Sequence, residues 1–366
     1  MERRVTLKEI ARHAGVSLAT ASRVFSGNIR VSKEIYDRVS KAAQALGVNL
    51  QQEQTSTTVA FVLSNREMLH AFHSRIFFGA HEYCAKHGAD VLFLSFDYSA
   101  RAPWNELALP RVLRRRDVVQ AVILAGTNSE NLLIALKQAK IPVATLGNNI
   151  LDITPGADYQ IVDSDDVQGG YDMTRYLQTL GHKDIWFVGN VGLPWFARVY
   201  EGYRKAMEKA GTVPRLSGFE SADDRETGYL GTKAILSGPE PVTAIFAGTD
   251  TVAQGVYAAL ADCHLRVPQD ISVVGCNDTS GGILRPSLTT IREFPEQLGK
   301  QLAELAIGQI SRTVAKPHRI TIPTEIVKRE SSQSPPEKPI GRDLIFSKPQ
   351  ASETGISSET GRNRQS

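Results

Sequence analysis

Apolar positions recur along the chain in two different registers. Up to about residue 47 they fall at helical spacing: Leu7, Ile10, Ala11 and Ala14, then Ala21 and Val24, then Ile35, Val39, Ala42, Ala43 and Leu46. This spacing predicts three short helices. Thr6-Leu7-Lys8-Glu9 has the form of a capping box, and Gly15 suits the sharp turn after the first helix. Ser17 is placed to cap a second helix that runs to about Phe25. Ser32 is placed to cap a third, which Gly47 closes. The stretch from Val48 to Thr58 is polar and without period, so it reads as a linker.

From Val59 the register changes to apolar strands alternating with amphipathic helices. Strands are expected at 59–64, 90–96, 121–126, 142–147, 159–164, 184–190, 244–248 and 271–277, with Gly88, Gly181 and Gly211 closing helices just before the next strand. Repeated βα units imply parallel sheets covered by helices on both faces. About ten strands are too many for one comfortable sheet, so an α/β body of two lobes with a ligand cleft is expected. The domains read as a helix-turn-helix head over 1–50, a short linker over 51–57, the two-lobe body over 58–332 and a tail over 333–366. The tail is rich in Ser, Pro and charge and is expected to be disordered. It carries no leucine heptads of the kind a coiled coil needs.

The overall charge of +3 becomes informative once it is located. Residues 1–50 hold nine basic side chains (Arg3, Arg4, Lys8, Arg12, Arg23, Arg30, Lys33, Arg38, Lys41) against Glu2, Glu9, Glu34 and Asp37. That is an excess of five, which leaves the remainder slightly acidic. A basic head on an acidic body is the electrostatic footprint of a nucleic-acid reader. No apolar run is long enough for a membrane span, and the opening residues lack the form of a secretory signal, so a cytoplasmic protein is expected.

Leu7 to Phe25, LKEIARHAGVSLATASRVF, meets the demands of a helix-turn-helix. Ala11 is small where two helices must touch, Gly15 and Val16 make the turn, and Ala21 and Val24 face the first helix. The opposite face of the second helix then presents Leu18, Ala19, Ser22 and Arg23 to a major groove.

This head resembles the lactose/galactose repressor (LacI/GalR) family, and the likeness continues to about residue 332. It is carried by VDSDDVQGG (162–170), LGHKDIWFVGN (180–190), EGYRKAM (201–207), TAIFAGTD (243–250), LRVPQDISVVGCND (265–278) and LTTIRE (288–293). The resemblance implies a transcription regulator, usually a repressor, whose body is similar to periplasmic sugar-binding proteins. Its implied partners are a double-stranded DNA operator, a small-molecule effector and a second copy of itself, with no membrane, metal or cofactor. The family's base-reading positions fall on Leu18, Ala19 and Arg23. Its phosphate-contacting positions fall on Thr6, Ser17, Thr20, Ser22, Arg30, Ser32 and Lys33. Arg23 suits a guanine edge, and Leu18 and Ala19 suit only apolar contact. For Ser17 and Ser32 simple capping is an equal reading. The homodimer follows from the few contacts one small head makes, and effector binding is expected to shift lobe closure and so operator affinity.

Two departures from the family pattern stand out. The linker is about six residues shorter than usual and lacks the stretch that forms a hinge helix and wedges leucine into the minor groove. If that loss is decisive, the alternative is a small-molecule-binding protein with only weak, non-specific DNA affinity. The implied effector positions are also altered: Gly147-Asn148 stands where Asp is common, Thr249 where Asn is common, and Asn277-Asp278 in a turn that usually begins with Asp. Val199 replaces an arginine, with Arg198 one place earlier. Trp195 and Phe196 offer a surface for stacking or are ordinary core. The expected effector is therefore a small polar molecule, sugar or otherwise.

Other chemistry is weakly represented. Asp163, Asp165 and Asp166 read as a strand end meeting a helix N-terminus rather than a metal site. His182 reads as a structural hydrogen-bonder. Cys84, Cys263 and Cys276 have no paired spacing and read as small buried hydrophobes. Gly189-Asn190-Val191-Gly192 lacks the third glycine of a dinucleotide fingerprint, and no nucleophile elbow or phosphate loop occurs. An enzyme is not expected.

Overall fold

The capping box at Thr6 forms as the sequence predicts: Glu9 N donates to Thr6 Oγ1 at 3.4 Å and Thr6 N donates to Glu9 Oε2 at 2.8 Å. The structure, a computed structural model, describes residues 5–25, 31–48, 57–66, 71–151, 158–219, 221, 223–314 and 316–337. In the head the helices are Leu7–Ala14, Leu18–Phe25 and Lys33–Ala45. Gly15 ends the first in the left-handed region at φ +62°, which a side chain would strain. Ile10, Ala14, Val24, Val39, Ala42 and Ala43 form a separate small core. Arg38, predicted only as part of the basic charge, donates to Ala14 O at 2.8 Å and Gly15 O at 3.1 Å. It thereby satisfies carbonyls that the first helix leaves open.

The body contains β1 (Thr57–Ser64), β2 (Ala89–Phe96), β3 (Ala121–Leu124), β4 (Asn128–Ser129), β5 (Val143–Leu146), β6 (Ile150–Leu151) and β7 (Gln160–Ser164). It continues with β8 (Ile185–Val188), β9 (Arg215–Ser217), β10 (Ala244–Ala247), β11 (Ser272–Cys276), β12 (Thr289–Arg292), β13 (Arg319–Ile322) and β14 (Glu325–Val327). One sheet has the order β13-β7-β5-β3-β1-β2, the second β14-β12-β11-β10-β8-β9, and β4 pairs with β6. All eight strands predicted from the apolar runs are present, within a few residues. The missed ones are short: β4 and β6 are two-residue pairs, β9 is a half-buried triplet, β12 has four residues, and β13 and β14 are partly exposed edge strands, so none has enough apolar residues to set a period. β14 is antiparallel to β12, the exception in an otherwise parallel second sheet.

The chain divides into two units, residues 1–163 with 295–320, and residues 164–294 with 321–366. It therefore passes from one to the other three times. Within the units, three helix pairs approach until their backbones touch. A Cβ on Gly79 would lie 2.0 Å from Glu296 O, and one on Gly299 1.9 Å from Ile76 O. Gly202 meets Val167 O at 2.0 Å and Gly170 meets Val199 O at 2.2 Å; Gly228 and Gly255 meet Val252 O and Arg225 O, each at 2.0 Å. Each pair is thus locked by one glycine from either helix.

The predicted tail boundary is corrected in part. Gln333 N donates to Ser272 Oγ at 3.1 Å, and Gln333 O accepts from His182 Nε2 at 2.8 Å, so the packed body reaches past residue 332. Most of the predicted linker and tail, residues 49–56 and 338–366, lies outside the described residues. Cys84 and Cys276 are buried as expected. Cys263 is only half-buried, with Lys233 Nζ 3.4 Å from its sulfur.

Candidate DNA-binding face and ligand-binding strand ends

On Leu18–Phe25, Ala21 and Val24 are buried against the head core while Leu18, Ala19, Ser22 and Arg23 are exposed. Leu18 leaves 52% of its surface in solvent, an outcome that burial alone does not favour. Ser17 Oγ accepts from Thr20 N at 3.0 Å and lies 2.8 Å from Thr20 Oγ1, so the two hydroxyls gather at the N-terminus of this helix. Ser32 Oγ accepts from Ile35 N at 3.4 Å at the start of the third helix. Caps at helix N-termini remain compatible with phosphate contact, since backbone N–H groups and the dipole face the same way. Arg30 and the side chain of Lys33 lie outside the described residues.

Both sheets have the open parallel order in which the second strand lies outside the first and the third lies on its other side. Ligands of such sheets lie outside the carboxyl ends of the strands, where the order reverses. In the first unit that edge carries buried polar groups. Ser64 Oγ donates to Asn128 Oδ1 at 2.5 Å, and Asn128 Nδ2 to Gly126 O at 2.8 Å. After β5, Asn148 is 2% exposed, and Asn149 donates to Ala125 O at 3.1 Å and lies 2.9 Å from His73 Nε2. Asp163 accepts from Arg319 Nε at 2.9 Å through Oδ2. Its other oxygen is buried without a hydrogen-bond partner among the described residues.

The same edge of the second unit is strongly acidic. Asp166 accepts from Ser164 Oγ at 2.6 Å and from Arg198 Nε at 3.3 Å, and Ser164 Oγ lies 3.1 Å from Glu293 Oε1. Burial, then the neighbouring Asp166 charge, pushes Glu293 well above its ordinary carboxylate range. Burial also raises Asp250 to about 6, against the opposing bond from Thr290 Oγ1 at 2.6 Å. Asp278 is held by two cations, Arg292 Nε at 2.8 Å and Arg329 Nη2 at 2.7 Å. The acidic run at 163–166 thus separates into three roles: Asp163 pairs with Arg319, Asp165 caps the helix Asp166–Thr179, and Asp166 faces Arg198.

Comparison with known proteins bears directly on both sites. Residues 6–48 match the model of bacterial regulatory proteins, lacI family, and residues 174–332 match a periplasmic binding protein-like domain. The chain joins a lacI-family DNA-binding domain to a periplasmic binding protein-like domain. Among its relatives, the HTH-type transcriptional repressor PurR of Haemophilus influenzae (strain PittEE) is 27% identical over 341 residues, 90% of this chain and 99% of that protein. The ribose operon repressor of Escherichia coli (strain K12) is 28% identical over 340 residues, 89% and 99% of the two chains. The solved complex of the transcriptional regulator CelR with cellobiose has a TM-score of 0.66 at 26% identity, covering 90% of this chain and 100% of that one. These relatives are regulators rather than enzymes. Among the described residues no helix is long and apolar enough to cross a membrane.

Several LacI-family positions sit differently from their sequence reading. Phe196 is fully buried: its ring lies so close over Gly189 and Gly248 that a Cβ there would come within 2.7 Å and 2.3 Å of it. The stacking role is therefore corrected to packing, while Trp195 beside it stays half-buried. Val199, in the arginine position, faces the core at 2% exposure, and Arg198 turns to Asp166 and Ser164 O. Thr249 caps the helix Asp250–Asp262 through Val252 N at 3.1 Å and lies 3.2 Å from Asp224 Oδ2. Asn277 Oδ1 accepts from Thr279 Oγ1 at 2.8 Å, in a left-handed turn at φ +87°. Sequence reasoning missed Asp250, Thr290 and Glu293, and the Ser64–Asn128 pair. The available signal was the rule that sites collect at strand carboxyl ends: Ser64 ends β1, Asp250 follows β10, and Glu293 follows β12, a strand that the apolar pattern did not predict.

Proposed function

We propose that this protein is a cytoplasmic, sequence-specific DNA-binding repressor that acts as a homodimer on a near-palindromic operator and is controlled by a small polar effector. The observation that carries the reading is the face of Leu18–Phe25, where Leu18, Ala19, Ser22 and Arg23 are exposed while Ala21 and Val24 hold the helix to its core. Arg23 reads a guanine edge, Leu18 and Ala19 read a thymine methyl, and the hydroxyls of Thr6, Ser17, Thr20, Ser22 and Ser32, with Arg30 and Lys33, hold phosphates. Two heads on one operator supply the specificity that one lacks.

Effector contacts are assigned to Asn148, Trp195, Arg198, Thr249, Asn277 and Asp278, and extended to the buried, half-satisfied Asp163. A relative named as a ribose operon repressor and a regulator solved with cellobiose support a hydroxyl-bearing ligand. Carboxylates and amides recognise hydroxyl groups by paired hydrogen bonds. Effector binding favours one of two conformations and so changes operator affinity.

Selection of bound duplexes from a random DNA pool by the full-length protein, near physiological salt, tests this. A two-fold-related motif is the expected result. Binding that fades with salt and recovers no motif would overturn the operator reading, leaving a small-molecule binder with phosphate affinity alone.

A further inference from the structure

The amino ends of the first sheet hold a cavity of about 590 Å³ that the functional reading above does not use. Ile141, Pro142 and Val143 lead into β5 there, and Asp158, Tyr159 and Gln160 lead into β7. It therefore lies at the opposite end of these strands from Asn148 and Asp163. All its lining residues belong to the first unit. The volume falls within the roughly 300–1,000 Å³ of ordinary small-molecule sites.

Its chemistry is uneven in a way that points to an anion. Lys137, Lys140 and Arg312 line it against the single carboxylate of Asp158, and Lys137 Nζ stands 5.6 Å from the centre of the Tyr159 ring. Leu133, Ile141 and Val314 supply apolar wall. The surrounding amides are already committed: Gln160 bonds Lys316 O at 2.8 Å and His318 N at 2.9 Å, and Gln309 donates to Val143 O at 3.0 Å. Thr145 differs. It is fully buried and lines the cavity, and its Oγ1 has no hydrogen-bond partner among the described residues. A buried hydroxyl left unpaired carries a desolvation penalty that a ligand oxygen would relieve.

We propose that this cavity is a second small-molecule site, which takes an organic anion (a carboxylate or phosphate on a flat or apolar body). The three cations hold the charged group, Tyr159 and the apolar wall hold the body, and Thr145 Oγ1 donates to an oxygen of the ligand. Because the strands from β7 to β1 run parallel, their amino ends share one edge of the sheet. The ligand would sit on the edge at which β1 begins, roughly 10 Å away at about 4.8 Å per strand.

The test is a fluorescence titration of the full-length protein with 8-anilinonaphthalene-1-sulfonate, an aromatic anion. Benzoate and phenyl phosphate serve as competitors that separate carboxylate from phosphate preference. Saturable binding of one probe per chain is expected, displaced by at least one competitor. The surface double variant Lys140→Glu/Arg312→Glu should weaken it by about tenfold or more. Thr145→Val, which keeps the side-chain shape and should unfold no earlier than the parent, should weaken it by about threefold or more. No saturable binding, no displacement by either anion, or unchanged affinity in either variant would overturn the proposal.

Discussion

Arg23 and Arg38 belong to the same basic head and look alike in sequence, yet they have different work. Arg23 projects from the exposed face of its helix, whereas Arg38 folds back onto the carbonyls of Ala14 and Gly15. Arg23→Ala should cost about 1–3 kcal/mol of operator binding and relax preference at one base position, read by repeating the duplex selection. Arg38→Ala should instead lower the melting temperature of the head, through about 1–3 kcal/mol of lost charged hydrogen bonding, with the recovered motif unchanged. Asp250 gives a pH signature. Burial raises its pKa from 3.8 to about 6, so between those values the folded protein binds more protons than the unfolded chain. Its contribution to stability is therefore present at the acid end and lost as pH rises through about 6. Melting curves at about pH 4.5 and 6.5 should show the parent losing more stability across that interval than Asp250→Asn does. Such residues are illegible in sequence because their chemistry depends on burial. Asp163, Asp165 and Asp166 are neighbours in one short run and end in three unrelated roles.

Elements were more legible than residues. The caps at Thr6, Ser17 and Ser32 and the left-handed glycines at 15, 47, 88, 181 and 211 act over a few residues, so local pattern predicts them. Edge strands such as β13 and β14 depend on their neighbours for definition, and local pattern misses them. The glycines at helix crossings were also hidden: a glycine inside a helix is by itself only a poor helix former, and only the paired helix reveals the use of Gly202 and Gly255. Gly202→Ala would force Val167 O away from a 2.0 Å approach, which requires the helices Asp166–Thr179 and Pro194–Lys209 to separate. A loss of about 1–3 kcal/mol is expected in denaturant unfolding, although alanine is the better helix former.

At the scale of the whole molecule, the head has its own core and the body its own pair of sheets. Removing residues 1–56 should abolish operator binding while leaving effector binding within about twofold, as calorimetry on the truncated chain would measure. The three passages of the chain between units have a different consequence, one that concerns the order of synthesis. The helix Pro295–Ile310, which locks onto Ala71–Lys86 through Gly299 and Gly79, is made more than two hundred residues after its partner. As the chain leaves the ribosome, the first unit must wait with an open flank while most of the second, residues 164–294, emerges as one uninterrupted stretch. The first unit, although its sequence begins first, is thus not complete until about residue 320, just before the second unit gains its own last strand, β14. Through that interval its unfinished apolar face is the part of the nascent protein most in need of a chaperone.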